Sequence, residues 1–342
     1  MRRGFGPLFC CLLAGPAFAQ VPTFSYLTEF PAQGPPLAIA ADANGGIYYT
    51  VFDFAGPNLS RCYYVADPLK ANALENQILV DDADETEEPA GRGFTGVAVD
   101  SKGNIFLALE SGNALTGTVR KLSPAPQFAP VEEFGGGVFQ AGKRYNGIDV
   151  MNDEMICIST FDTVEFWSAL DAGPLYQVGG GETYQRDLAY NPHTGDIYIA
   201  KNRDVHGEPV SSANLLTGGS ADNLEGYTEI VPDFIPQGGE GGQYGVNAQL
   251  IEYDSVNNLI IIPQRSGGAM GIAFYRPTDT STPVVLLTAS ESPNGTMNDP
   301  ADAVAVQTKT GDTLVYITDR TPNRILVYTT GAPSEVWGWE VF

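Results

Sequence analysis

The sequence predicts an all-β protein, a six-bladed β-propeller of four-stranded antiparallel blades. Three observations predict it. First, one pattern recurs six times: an apolar strand runs into a polar turn of Asp, Asn or Gly, and a second strand follows at once. Second, these second strands begin at residues 47, 105, 155, 197, 259 and 314, about 42 to 62 residues apart. That spacing leaves room for two further strands per copy, which makes a propeller blade. Third, 39 glycines and 24 prolines stand beside only 17% charged residues, a composition suited to many short strands joined by tight turns.

Taken in chain order, the first copy is Leu37-Ala38-Ile39-Ala40, a turn from Asp42 to Gly46, then Ile47-Tyr48-Tyr49. The second is Gly96-Val97-Ala98-Val99, a turn through Asp100 and Gly103, then Ile105-Phe106-Leu107. The third joins Gly147-Ile148-Asp149-Val150 to Met155-Ile156-Cys157-Ile158 through Asn152 and Asp153. The fourth joins Leu188-Ala189-Tyr190 to Ile197-Tyr198-Ile199 through a turn holding His193 and Gly195. The fifth joins Leu250-Ile251-Glu252-Tyr253 to Leu259-Ile260-Ile261, and the sixth joins Ala303-Val304-Ala305-Val306 to Leu314-Val315-Tyr316. Turn residues between β-branched runs are the chemistry of a hairpin. Third strands follow at Val119-Arg120-Lys121-Leu122, Val164-Glu165-Phe166-Trp167, Ile272-Ala273-Phe274-Tyr275 and Ile325-Leu326-Val327-Tyr328. Either residues 24–30 or residues 336–342 are expected to close the ring as the last strand of a mixed blade. Only residues 68–75 carry a helical period.

The sixth copy, Tyr316-Ile317-Thr318-Asp319 followed by Arg320-Thr321-Pro322-Asn323-Arg324 and Ile325-Leu326-Val327-Tyr328, resembles the NHL repeat. In that repeat a strand ends in Asp, a polar turn carries Asn-Arg, and an apolar strand follows. Gly96-Val97-Ala98-Val99-Asp100 is similar to the NHL opening. The likeness is close only in these two copies. It implies a six-bladed ring.

Residues 1–19 read as a secretory signal peptide, with Arg2 and Arg3, an apolar stretch over residues 7–13, and Ala17-Phe18-Ala19 as the cleavage site before Gln20. That stretch is far shorter than the roughly 20 residues a membrane-spanning helix needs. A secreted or periplasmic location is expected, with residues 20–342 as one propeller domain. Cys10 and Cys11 leave with the signal. Cys62 and Cys157 fall in non-adjacent blades and are expected to stay unpaired. With so few cysteines and only two histidines, a Cys/His zinc site is set aside. The net charge of −23 argues against nucleic acid and anionic membranes as partners. It suits cations, calcium among them, and solubility. A monomer is expected.

In a propeller the loops entering the innermost strands share one face with the loops leaving the second strands. Gln33, Thr95, Asn146, Arg186, Asp187, Asn247 and Asp302 precede or open innermost strands. Asp53, Glu110, Asp162, His206, Gln264, Arg265, Asp319 and Arg320 follow second strands. Carboxylates, amides and guanidiniums therefore converge on one mouth, the composition of a polar pocket or a hard-cation site. Asn146, Arg186, Asp187, Asn247 and Asp302 are the candidate ligand-binding residues. His206 is the one candidate acid or base on that face.

A second resemblance bears on activity. Asn146-Gly147 and Asp302-Ala303 are similar to two ligand stretches of the calcium-dependent lactonases of the gluconolactonase type, and Gln33-Gly34-Pro35 resembles a third with Gln in place of Glu. The resemblance implies calcium as the cofactor, with Asn146 and Asp302 as metal ligands, in a hydrolase. The altered first ligand puts that set in doubt. Residues 81–88 hold the densest acidic run, lack the offsets of an EF-hand loop, and read as a solvated connection between blades. No Gly-x-Ser-x-Gly elbow is present. The expected function is binding of a small polar ligand, a glycan or a protein segment at the mouth. A calcium-dependent hydrolase is the alternative, and a surface interaction or structural protein the second.

Overall fold

The computed structural model describes residues 21–52, 60–70, 74–83, 93–110, 118–131, 134, 144–179, 185–203, 209–235, 250–264 and 270–331. Strand β1 (Ser25–Pro31) comes first. Blade one is β2 (Pro36–Ala41), β3 (Ile47–Phe52), β4 (Ser60–Val65) and β5 (Ile78–Ala83), and blade two is β6 (Gly93–Val99), β7 (Ile105–Glu110) and β8 (Thr118–Leu122). Blade three is β9 (Ile148–Asn152), β10 (Met155–Ser159), β11 (Thr163–Ser168) and β12 (Pro174–Gly179). Blade four is β13 (Gln185–Tyr190), β14 (Ile197–Arg203), β15 (Pro209–Leu216) and β16 (Ile230–Ile235). Blade five is β17 (Glu252–Asp254), β18 (Leu259–Gln264), β19 (Gly271–Tyr275) and β20 (Val285–Leu287). Blade six is β21 (Pro300–Gln307), β22 (Thr313–Asp319) and β23 (Arg324–Thr329), with β1 as its outer strand.

The result is a six-bladed antiparallel β-propeller, as the repeat predicts. Five sheets have four strands, and blade two has three among the described residues. The expected hairpins all form, and their turns show why. Asp42 Oδ1 accepts the N–H groups of Asn44 (2.8 Å) and Gly46 (2.9 Å), and Asp100 Oδ1 those of Lys102 (3.0 Å) and Asn104 (2.8 Å). Asp254 Oδ1 does the same for Val256 and Asn257. One carboxylate thus satisfies the backbone groups a tight turn would leave open.

Side chains alternate along each strand, so every blade presents one apolar face to each neighbour. Six clusters of buried residues follow, one at each blade boundary. Ile39, Ile47 and Tyr49 meet Tyr316, Ile325 and Val327 between blades one and six, and Cys157, Val164 and Phe166 meet Leu188, Ile197 and Ile199 between three and four. Of the two closing segments weighed, residues 24–30 supply the observed strand. β1 pairs with β23, and Arg324 holds them together: it bonds Asp319 Oδ2 (2.9 Å) and Glu29 Oε2 (3.0 Å) and donates to the carbonyls of Gly295 and Thr296. Residues 336–342 lie outside the described residues.

Two readings are corrected. Of residues 68–75, residues 68–70 form a turn and Leu74 and Glu75 open a short 3₁₀ helix, Leu74–Asn76, while residues 71–73 lie outside the described residues. The acidic run begins on β5 rather than in a loop, because an outermost strand tolerates polar residues and Asp81 pairs with Arg120 of blade two at 3.0 Å. Cys62 on β4 and Cys157 on β10 are buried free thiols, as their separation in the ring requires.

Candidate functional site

The innermost strands β2, β6, β9, β13, β17 and β21 ring the central channel. Each is a sheet edge, and an edge leaves backbone N–H groups without ladder partners. At three boundaries a carboxylate from the preceding blade supplies the acceptor. Asp149 Oδ2 accepts from Tyr190 N (2.7 Å), Asp187 Oδ2 from Ile251 N (3.0 Å), and Asp302 Oδ2 from Ile39 N (2.8 Å). Asp149 and Asp302 also cap their own strands, through Val150 N and Ala303 N. Glu252 on β17 adds a fourth acid, which accepts from Tyr253 N at 3.2 Å.

These four acids are enclosed by protein, although Asp149 and Glu252 keep some exposure. Burial pushes all four carboxyls upward. Asp149 rises to about 6 and Asp302 to about 8, and in both the accepted backbone N–H bonds pull the other way. Asp187 is raised first by burial and then by the charge of Asp302. Glu252 is raised by burial and then by Asp149, Asp302 and Asp187. The channel therefore carries acids that oppose one another.

Beside them stand two buried amides. Asn146 precedes β9 and Gln185 opens β13. The Asn146 Nδ2 donates to the Gln185 carbonyl at 2.6 Å, so the side chain spans the gap between two innermost strands. Among the described residues, Asn146 Oδ1 and both Gln185 side-chain atoms, Oε1 and Nε2, have no hydrogen-bond partner. Asn146 is 2% exposed and Gln185 is fully buried. The strands approach this closely because Gly147 has no side chain: a Cβ there would lie 1.9 Å from Asp187 Oδ1 and 2.4 Å from Asp187 Cα. Gly96 allows a similar approach at the preceding boundary, where a Cβ would lie 3.0 Å from the Asn146 carbonyl oxygen. Thr95 donates to that carbonyl at 2.7 Å.

Of the sequence-predicted site residues, the fold thus brings Asn146 and Asp187 together at the boundary of blades three and four. Arg186, between Gln185 and Asp187 on β13, is half-buried. Asp302 sits on blade six, three blades from Asn146, and acts on Asp187 through charge. His206 and Asn247 lie outside the described residues. Gln33 is exposed and bonds the Leu74 carbonyl at 2.6 Å, while its N–H donates to Tyr49 Oη. Asp319 is fully buried against Arg324, so it braces blade six instead of lining the mouth. Sequence reasoning passed over Asp149, Gln185 and Glu252 as site residues. The available signal was an acid inside an otherwise apolar innermost strand, in Ile148-Asp149-Val150 and Ile251-Glu252-Tyr253.

The lactonase-like set fits a resident calcium ion poorly. Gln33 is held by Leu74, and both Asp302 oxygens accept backbone N–H bonds. That leaves Asn146 Oδ1 as the open oxygen of the three. Among the described residues no group of three or more His, Cys, Asp and Glu side chains is placed to hold a metal ion. Among them too, no helix is long and apolar enough to cross a membrane.

No protein-family description and no curated protein sequence matches this chain. Solved structures do match its fold. Hydrazine synthase of Kuenenia stuttgartiensis is similar over 88% of this chain and 78% of its own, with 10% identity and a TM-score of 0.52. A chain of a nidogen/laminin complex is similar over 87% of this chain and 88% of its own, with 14% identity and a TM-score of 0.52. At such identities the likeness shows the propeller architecture alone.

Proposed function

We propose that this protein is an exported binding propeller that takes a small polar ligand at the channel mouth where β9 and β13 begin. The observation that carries this reading is three buried amide atoms without a partner among the described residues, Asn146 Oδ1 and Gln185 Oε1 and Nε2, near the Asp187 carboxylate. A buried polar atom without a partner costs roughly 1 to 3 kcal/mol, a cost a bound ligand would remove. A rigid ring of strands holds these groups in place before any ligand arrives, which lowers the cost of binding. A glycan end or a polar protein segment would meet the same groups.

The reading is tested by screening the purified protein for thermal stabilisation against polar small molecules and glycans, with Asn146→Ala and Asp187→Asn beside the wild type. Ligands that stabilise the wild type should lose at least about tenfold in affinity in both variants. Undiminished binding in both variants would move the interaction to another surface and leave the mouth without a task. Export is tested by expression with the native N-terminus: the mature chain should start at Gln20 outside the cytoplasm, and retention of an uncleaved chain inside would contradict it.

A further inference from the structure

The outermost strand of each blade leaves a row of backbone N–H and C=O groups facing outward, and most of these edges are guarded. β1 ends in Pro31, β12 opens on Pro174, β16 holds Pro232 and a left-handed Asp233 (φ 52°), and β20 has three residues. At blade two the edge of β8 is taken, since Val131 N donates to the Lys121 carbonyl and Ser123 N to the Ala129 carbonyl. β5 of blade one runs for six residues with no proline and no left-handed residue, and its register shifts once, at Val80. Its first residues are apolar on both faces. Ile78 and Leu79, neighbours that point to opposite sides of the sheet, are each 47% exposed, and Leu74 just before them is 43% exposed. These are three of the seven large apolar side chains left exposed among the described residues.

The strand is fixed at both ends. Gln77, buried at its start, donates to the Pro31 carbonyl at 2.6 Å and accepts from Tyr49 Oη. Arg120 of blade two holds the far end through Asp81 Oδ2 (3.0 Å) and the Asp82 carbonyl (3.1 Å). Glu75 and Asp82, both exposed, flank the apolar stretch with negative charge. A second copy would bring the same acids and the same net charge of −23, so repulsion opposes self-pairing. Charge complementarity favours a basic partner.

We propose that the edge of β5 at residues 78–80 binds an extended segment of another protein as an added strand. Aliphatic residues of that segment lie against Ile78 and Leu79, and flanking lysine or arginine side chains lie against Glu75 and Asp82. Main-chain hydrogen bonds supply the affinity, and the alternating side chains select the partner. This surface is on the outside of blade one and is independent of the channel mouth.

The test titrates the full chain into a labelled heptapeptide, Lys-Val-Thr-Val-Thr-Val-Lys, and reads fluorescence anisotropy. Saturable binding is expected below about 1 mM. The fully N-methylated peptide, which has no backbone donor, should bind roughly tenfold more weakly or worse. Glutamate in place of both lysines should also weaken binding. Ile78→Lys and Leu79→Lys should each lower affinity roughly fivefold or more, with melting temperatures like that of the wild type because both side chains are exposed. Leu175→Lys, at a similarly exposed position on β12, should leave binding unchanged. No saturable binding by the wild type, binding that survives Ile78→Lys and Leu79→Lys together, or equal binding of the glutamate and N-methylated peptides overturns the proposal. So does self-association of the wild type in sedimentation that Leu79→Lys abolishes, because the edge then serves a second copy.

Discussion

Arg324 shows how a residue that reads as a surface feature becomes a brace of the frame. It is 3% exposed and bonds Asp319, Glu29 and Ser292 as well as two carbonyls. Burial raises the Asp319 carboxyl, and the N–H of Asp299 and the guanidinium of Arg324 draw it back. Removing one partner of such a buried pair leaves a charge without compensation, at a cost of about 3 to 5 kcal/mol. Arg324→Ala should therefore lose stability on that scale in urea unfolding, and because Glu29 belongs to β1 the loss should loosen ring closure. A loss below about 1 kcal/mol would show that the network carries little. The Asp–Asn–Arg pattern was legible in the sequence, but the direction of Asp319 was not. A strand-ending acid reads as a mouth residue until the buried guanidinium beside it is seen.

At the scale of elements, the hairpins were legible because their chemistry is local. Asp42, Asp100 and Asp254 each accept the N–H two residues on, so the pattern is written in a few consecutive residues. The outer strands were less legible. β12 and β16 are largely exposed, and an edge strand that packs on one side only needs no marked apolar pattern. Nor did the sequence disclose how tightly innermost strands approach each other. Gly147→Ala places a methyl against Asp187 backbone as well as its carboxylate, so it should cost about 3 kcal/mol. Gly96→Ala meets its nearest atoms at 3.0 Å or more and should cost clearly less. Thermal unfolding of the two variants checks the order, and the reverse order would contradict the close packing at blades three and four.

For the whole molecule, the channel acids set the dependence of stability on pH. A native carboxyl that titrates above its unfolded value, about 4 for these residues, holds its proton more firmly when folded. Stability from this source is complete below that value and is lost as pH rises through about 6 for Asp149 and about 8 for Asp302. Repulsion across a molecule of net charge −23 acts in the same direction. The melting temperature should fall between about pH 5 and about pH 8.5, and Asp302→Asn should flatten the upper end of that fall. A melting temperature that rises with pH would contradict the burial of these acids. The six-fold ring was legible because its repeat fills the described chain. The carboxylate ring was only half legible: Asp187 and Asp302 precede their apolar runs, whereas Asp149 and Glu252 hide within theirs, and only ring closure brings the four together.

The central claim is that Gln185 presents an amide to a ligand rather than to the protein. Urea unfolding of ligand-free Gln185→Met against wild type tests it most directly. The account predicts a variant at least as stable as wild type, since a buried group without partners is exchanged for an apolar one of similar shape. A loss of about 1 kcal/mol or more would show that the amide is satisfied within the fold, and the mouth would then have no open site to fill.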